Sequence, residues 1–137
     1  MRPVISTFLT VVFVLSQCST LQAAEGSASD TKPRKIQTEE FDKLRTKPNH
    51  VILDVRTPEE FKAGHVKGAV NLNIQDPAFW KKVGDLDRRK TYLVHCARGG
   101  RSARASDQLG KAGLTNVIDY TGGFEAWKKD GKPVAKD

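Results

Sequence analysis

The sequence predicts an α/β domain with a mostly parallel central sheet flanked by helices, and three observations predict it. Apolar runs of strand length, among them HVILDVR, TYLVHC and NVIDY, recur along the chain. Segments with helical spacing and helix-start residues follow them, the alternation expected of βα units that stack into a parallel sheet. The 137 residues, 38% hydrophobic and 28% charged, suffice for one ordinary core and exclude a fibrous or disordered chain.

The N-terminal residues stand apart from that core. Arg2, the apolar stretch Val4 to Leu15 and the small residues of CSTLQAAEG form a signal-peptide pattern over residues 1–24, with cleavage near Ala23 or Ala24. The apolar run is too short to span a bilayer comfortably, so no stable membrane insertion is expected after cleavage. An uncleaved anchor and lipidation at Cys18 are the competing readings, and Gln17 stands where a small residue usually precedes a lipidated cysteine. Export is the expectation, to the periplasm if the source is a Gram-negative bacterium. Residues 25–35, EGSASDTKPRK, read as a flexible linker, and the folded domain is expected over 36–134.

The domain elements follow in order. TEEFDKLR opens with Thr38 as an N-cap candidate and acidic residues in its first turn, which predicts a short helix. HVILDVR predicts a strand, and TPEEF after it places Thr57 as cap, Pro58 at the first helical position and Glu60 to close a capping box. GAVNLN is a short strand, DPAFWKKV a helix with Pro77 at its start, and TYLVHC a third strand. Small or apolar residues at 102, 105, 106, 109 and 112 mark one face of a helix that Gly113 stops. NVIDY is the last strand expected, and GFEAWKK a closing helix ended by Gly131 and Pro133.

Cys18 and Cys96 are the only cysteines, so a chain cleaved after residue 24 carries a single thiol and no intramolecular disulfide. Cleavage also removes Arg2, one of 23 basic residues, and none of the 16 acidic ones, leaving a charge of 22 minus 16, or +6. Such a surface attracts small anions. Its basic residues are scattered, with no aromatic-interleaved patch or motif for nucleic acid, and none is expected as a partner. His50, His65 and His95 lack ligand spacing, so no metal site and no cofactor are expected.

Cys96 lies where a strand gives way to a helix, the position of ligand sites in open α/β sheets. ARGGR follows it, with Gly99 and Gly100 able to take positive φ and curl the backbone into a nest of inward N–H groups. An unperturbed cysteine is only about 3% thiolate at pH 7, and lowering its pKa by roughly two units makes it about three-quarters thiolate. That change needs roughly 2.7 kcal/mol, more than the 0.5 to 2 kcal/mol of a helix terminus, so loop N–H groups and the nearby Arg98 and Arg101 are needed too. His95 is not expected to pair with Cys96, because strand neighbours face opposite ways. Trp80, Trp127, Phe61 and Phe124 read as core and rim packing.

CARGGRS, LDVRTPEEFKAGHVKGAVNL and GGFEAWKKDGKPV together resemble the rhodanese family of sulfurtransferases, specifically its small single-domain exported kind, from Ile36 to Val134. The resemblance implies a three-layer domain whose central sheet is flanked by helices. It also implies a persulfide mechanism in which Cys96 takes a sulfane sulfur from thiosulfate, or a related small sulfur anion, and passes it to cyanide or a thiol. The loop residues Arg98, Gly99, Gly100, Arg101 and Ser102 are then expected to bind substrate. Arg98 is the residue expected to attract thiosulfate, and Arg101 either contacts the anion or ties the loop down. Asp54 is expected at the pocket rim. Arg56, Glu60 and His65 are expected in scaffold roles: pairing with an acidic group, capping a helix, and fixing a turn. With one mature thiol, the persulfide must leave to an outside acceptor, for which a thioredoxin-like or other dithiol protein is suited.

Two rivals come from other classes. Cysteine phosphatases and arsenate reductases share a cysteine loop at a helix start, but phosphatases keep five residues between cysteine and arginine. Four stand here, with Ser102 where their arginine would be. A binding or sensor module that has lost turnover is the other rival, and the intact Cys96 speaks against it.

Overall fold

The computed structural model describes residues 32–137. The segment read as a signal peptide, Cys18 and residues 25–31 of the linker lie outside the described residues. The chain runs β1 (Arg34–Ile36), α1 (Thr38–Leu44), β2 (His50–Asp54), α2 (Pro58–Ala63), β3 (His65–Val66), β4 (Val70–Asn71), α3 (Phe79–Gly84), β5 (Thr91–His95), α4 (Gly100–Lys111), β6 (Val117–Tyr120), α5 (Gly123–Lys129) and β7 (Val134–Ala135). Five strands form a parallel sheet in the order β1-β6-β5-β2-β4. The other two, β3 and β7, make a separate antiparallel pair.

Alternation along the strands divides the core. Leu53, Val55, Tyr92, Val94, Cys96 and Val117 face α3 and α4, where Phe79, Val83, Ala105 and Leu109 cover them. Ile52, Leu93 and Tyr120 face the other way, onto Phe41 of α1 and Phe124 and Trp127 of α5. Phe41 stacks on Tyr120 with ring centroids 4.3 Å apart and meets Trp127 edge-on at 5.4 Å. The sheet is thus the middle of three layers, and its order puts β5 at the centre with Cys96 at its carboxyl end.

Several boundaries depart from the sequence reading. Strand β1 takes in Arg34 and Lys35, assigned above to the linker; both are exposed, and only Ile36 reaches the core. Thr38 does not cap α1, because its hydroxyl pairs with the Tyr120 hydroxyl at 2.8 Å and Gln37 takes the cap position. Helix α3 starts after Pro77, where Asp76 Oδ1 accepts the Ala78 N–H at 2.8 Å. Helix α2 is as expected: Thr57 and Glu60 form the reciprocal capping box, with Pro58 in the first turn. Trp80 is 53% exposed and belongs to the surface, whereas Trp127 is fully buried.

Candidate active site

The loop leaving β5 turns back on itself at once. Its carbonyls point away from the sulfur: those of Cys96 and Ala97 accept N–H bonds from Phe124 at 2.8 Å and Glu125 at 3.0 Å. The first turn of α5 thereby fixes the start of the loop, leaving the following N–H groups free to face Cys96. Gly99 N–H donates to Cys96 Sγ at 3.1 Å. Burial disfavours the thiolate, but the backbone N–H groups of Ser102, Arg98 and Gly99 and the Ser102 hydroxyl outweigh it, and the thiol pKa falls below its ordinary value.

Two glycines make this geometry possible. Gly99 has φ +95°, and a Cβ there would stand 2.5 Å from the Thr121 carbonyl oxygen. Gly123 has φ +65°, and a Cβ there would meet the Ala97 oxygen at 2.5 Å and the Cys96 oxygen at 2.8 Å. Any side chain at either position would push apart the loop and the β6–α5 turn that backs it. Gly100 differs from expectation. It sits in the first turn of α4 with nothing near its Cβ direction, so the curl needs only one of the paired glycines.

The arginines of the loop separate in role. Arg98 is exposed and has no carboxylate partner among the described residues, so its charge is available to a ligand at the loop. Arg101 is not: its guanidinium donates both ends to Glu60, Nη1 to Oε2 at 2.7 Å and Nη2 to Oε1 at 2.8 Å. Glu60 pays twice into the structure, since the same carboxylate closes the capping box of α2. The Arg101 hydrogen bonds, set against partial burial, hold the Glu60 pKa down to about 2. Of the two roles expected of Arg101, contacting the anion or tying the loop down, the pair with Glu60 supports the second, as a bridge from α4 to α2.

Asp54 is corrected as well. It is fully buried rather than on a pocket rim, because Arg56 Nη2 and Nε bind its carboxylate at 2.6 and 2.9 Å. Arg56 also donates to the Gly64 carbonyl at 2.8 Å and lies over the Phe124 ring at 4.2 Å. This is the scaffold role expected of Arg56, with Asp54 as the acid. His95 points to this side of the sheet, away from the Cys96 sulfur, with Nε2 3.7 Å from Asp54 Oδ2. Burial lowers its pKa against the pull of Asp54. His65 Nδ1 meets the Phe61 carbonyl at 2.9 Å with its ring stacked on Phe61, fixing the turn after α2.

Sequence reasoning missed two contributors. The N-terminal turn of α5 holds the loop carbonyls, and the only signal for it was the Gly122–Gly123 pair directly after a strand. Asp119, from β6, is 1% exposed on the Cys96 side of the sheet, and burial raises its pKa against the influence of Ser102.

A thiol held by inward backbone N–H groups, with an exposed arginine in the same loop, has the chemistry suited to nucleophilic attack on a small anion. Residues 37–130 match the family model described as "Rhodanese-like domain". "Thiosulfate sulfurtransferase 16, chloroplastic" from Arabidopsis thaliana is 40% identical over 95 residues, which cover 62% of this chain and 79% of that protein. "Thiosulfate sulfurtransferase GlpE" from Pseudomonas putida is 36% identical over 95 residues, 69% of this chain and 84% of that one. The crystal structure of a rhodanese-related protein from Thermoplasma volcanium superposes with a TM-score of 0.68 at 34% identity, covering 76% of this chain and 99% of that one. With the loop, the sheet order and the matched residues in agreement, the chain belongs to the rhodanese-like domain family.

Proposed function

We propose that the protein is a thiosulfate sulfurtransferase that carries a sulfane sulfur on Cys96. The observation that carries this reading is the cradle itself: Cys96, 2% exposed, has its sulfur facing backbone N–H donors of the loop, in which Arg98 is exposed. A slim anion entering end-on suits such a cradle. The thiolate attacks the outer sulfur of thiosulfate, forming a new S–S bond, and the bond to the sulfonate sulfur breaks with its electron pair leaving on sulfite. The terminal persulfide sulfur keeps the negative charge, which the inward N–H groups stabilise. Attack on that sulfur by cyanide forms the C–S bond of thiocyanate and returns the Cys96 thiolate, so no net proton is consumed and the kinetics are ping-pong. A dithiol acceptor, thioredoxin-like in character, would take the sulfur by the same displacement. Action after export, with residues 1–24 removed, completes the reading.

The Arg101–Glu60 pair also weighs against a phosphatase, since the arginine that follows the cysteine loop is already committed to a carboxylate. Treated with thiosulfate, the protein is expected to gain one sulfur atom on Cys96 by mass spectrometry and to form thiocyanate from cyanide. Cys96→Ser is expected to do neither. An unmodified Cys96, together with turnover of an aryl phosphate, overturns the proposal.

A further inference from the structure

A cleft of about 760 Å³ lies at the end of the sheet opposite to Cys96. It is lined by the first residues of four neighbouring strands, Arg34 of β1, Val117 of β6, Thr91 of β5 and His50 of β2, whereas Cys96 follows the last residue of β5. Leu44 and Lys111, the last residues of α1 and α4, line it as well. The sulfur-transfer steps above use none of these residues.

The lining combines carbon surface with positive charge. Leu44 and Ile118 are only half-buried by the core they pack against, so part of their surface is left to the cleft, beside the more deeply buried Leu114 and Val117. Lys32, Arg34 and Lys111 supply three cations, and Asp107 is the one acid lining the cleft among the described residues. Asp107 is bound to Lys111 at 2.8 Å, and Arg34 meets Glu40, which lies outside the lining. Lys32 is exposed and has no carboxylate partner among the described residues. Backbone acceptors bordering the cleft are engaged: the Asn116 carbonyl accepts from the Tyr92 N–H at 2.8 Å, and the Gly110 carbonyl from the Gly113 N–H at 2.9 Å.

A volume of this size is within the range of small-molecule sites, and apolar walls with a few charged groups are their usual composition. An inorganic anion would use the cations and leave the carbon surface wet. An uncharged apolar molecule would cover the carbon and forgo the cations. We propose that the cleft is a second binding site, for a small organic anion whose carboxylate or sulfonate head meets Lys32 and whose apolar body lies on Leu44 and Ile118. The site is separated from the Cys96 loop by the length of the strands, and its occupancy does not depend on the sulfurtransferase reading.

The test is a titration of the isotopically labelled full chain with naphthalene-2-sulfonate, followed by the backbone amide NMR signals of Leu114, Thr115 and Ile118. These signals are expected to move together and saturate, with a Kd on the order of 1 mM for a probe of this size. Inorganic sulfate, which has the head without the body, and naphthalene-2-methanol, which has the body without the charge, are each expected to bind at least about fivefold more weakly. Lys32→Glu, at an exposed position, is expected to weaken the sulfonate by about fivefold, and Lys32→Arg to restore it. Alkylation of Cys96 by iodoacetamide beforehand is expected to leave the titration unchanged. No saturable movement, equal binding of sulfate or of the uncharged probe, an unaltered Kd in Lys32→Glu, or loss of binding on Cys96 alkylation overturns the proposal. None of these readouts involves sulfur transfer, so failure here is distinguishable from failure of the sulfurtransferase reading.

Discussion

His95 and Cys96 are consecutive at the end of the central strand, yet the two sides of the sheet hold them by opposite means. On the His95 side, side chains do the holding: Asp54 and Arg56 form a buried ion pair beside the His95 imidazole, with Phe124 covering the guanidinium. On the Cys96 side, the backbone does it, through N–H groups that converge on one sulfur while the α5 turn restrains the carbonyls. The first arrangement pairs its carboxylate with a guanidinium and is buried away from reagents. The second is a set of donors waiting for negative charge, which is what a thiolate or persulfide supplies. Rigidity and reactivity are thus separated by the thickness of one strand.

Breaking the closed side should damage stability and spare the thiol. Arg56→Ala leaves Asp54 charged and buried, and unfolding in urea is expected to show a loss of about 3–5 kcal/mol. At temperatures where the variant remains folded, its Cys96 alkylation midpoint should stay near that of the wild type; a large displacement would mean that the two sides are not separate. Breaking the open side should do the reverse in proportion. Gly123→Ala drives a methyl group into the Ala97 and Cys96 carbonyls, and a loss of about 1–3 kcal/mol is expected with a raised Cys96 midpoint and slower sulfur loading.

Glu60 links the sides at the loop's edge, and its pH dependence has a definite sign. Its folded-state pKa of about 2 lies below the ordinary 4.5, so ionised Glu60 stabilises the fold above pH 4.5 and that contribution fades as pH falls towards 2. Thermal unfolding of Glu60→Gln is therefore expected to fall below wild type near neutral pH and to converge with it at about pH 2. The smallest effect belongs to Arg98. With its side chain exposed, Arg98→Ala should raise the KM for thiosulfate several-fold, with the difference shrinking in high salt, and leave kcat less affected. An unchanged KM removes Arg98 from the binding of the donor.

The nucleophile and its loop were legible because their determinants are local. The strand, Cys96, Gly99 and the Thr57–Glu60 capping box each lie within a few consecutive residues. Partnerships across the fold were not legible. Arg101 finds Glu60 41 positions away, and no short pattern shows that its charge is already taken. Asp54 occupied a plausible rim position, but an arginine two residues on, with room to fold back, buried it instead. Strand β1 escaped notice because an edge strand with two exposed cations has the composition of a linker, and only its pairing with β6 gives it a regular structure.

The strand order also dictates a history for the sheet as it is made. During synthesis β2 emerges first among the inner strands, β4 can join one side and β5 the other, and β6 then extends the edge. Among the described strands the earliest, β1, pairs with β6 alone, with Arg34 opposite Ile118. Its partner does not exist until most of the domain has left the ribosome, so the earliest of the described strands waits for one of the latest. Such closure across a long loop carries an entropic cost and slows folding.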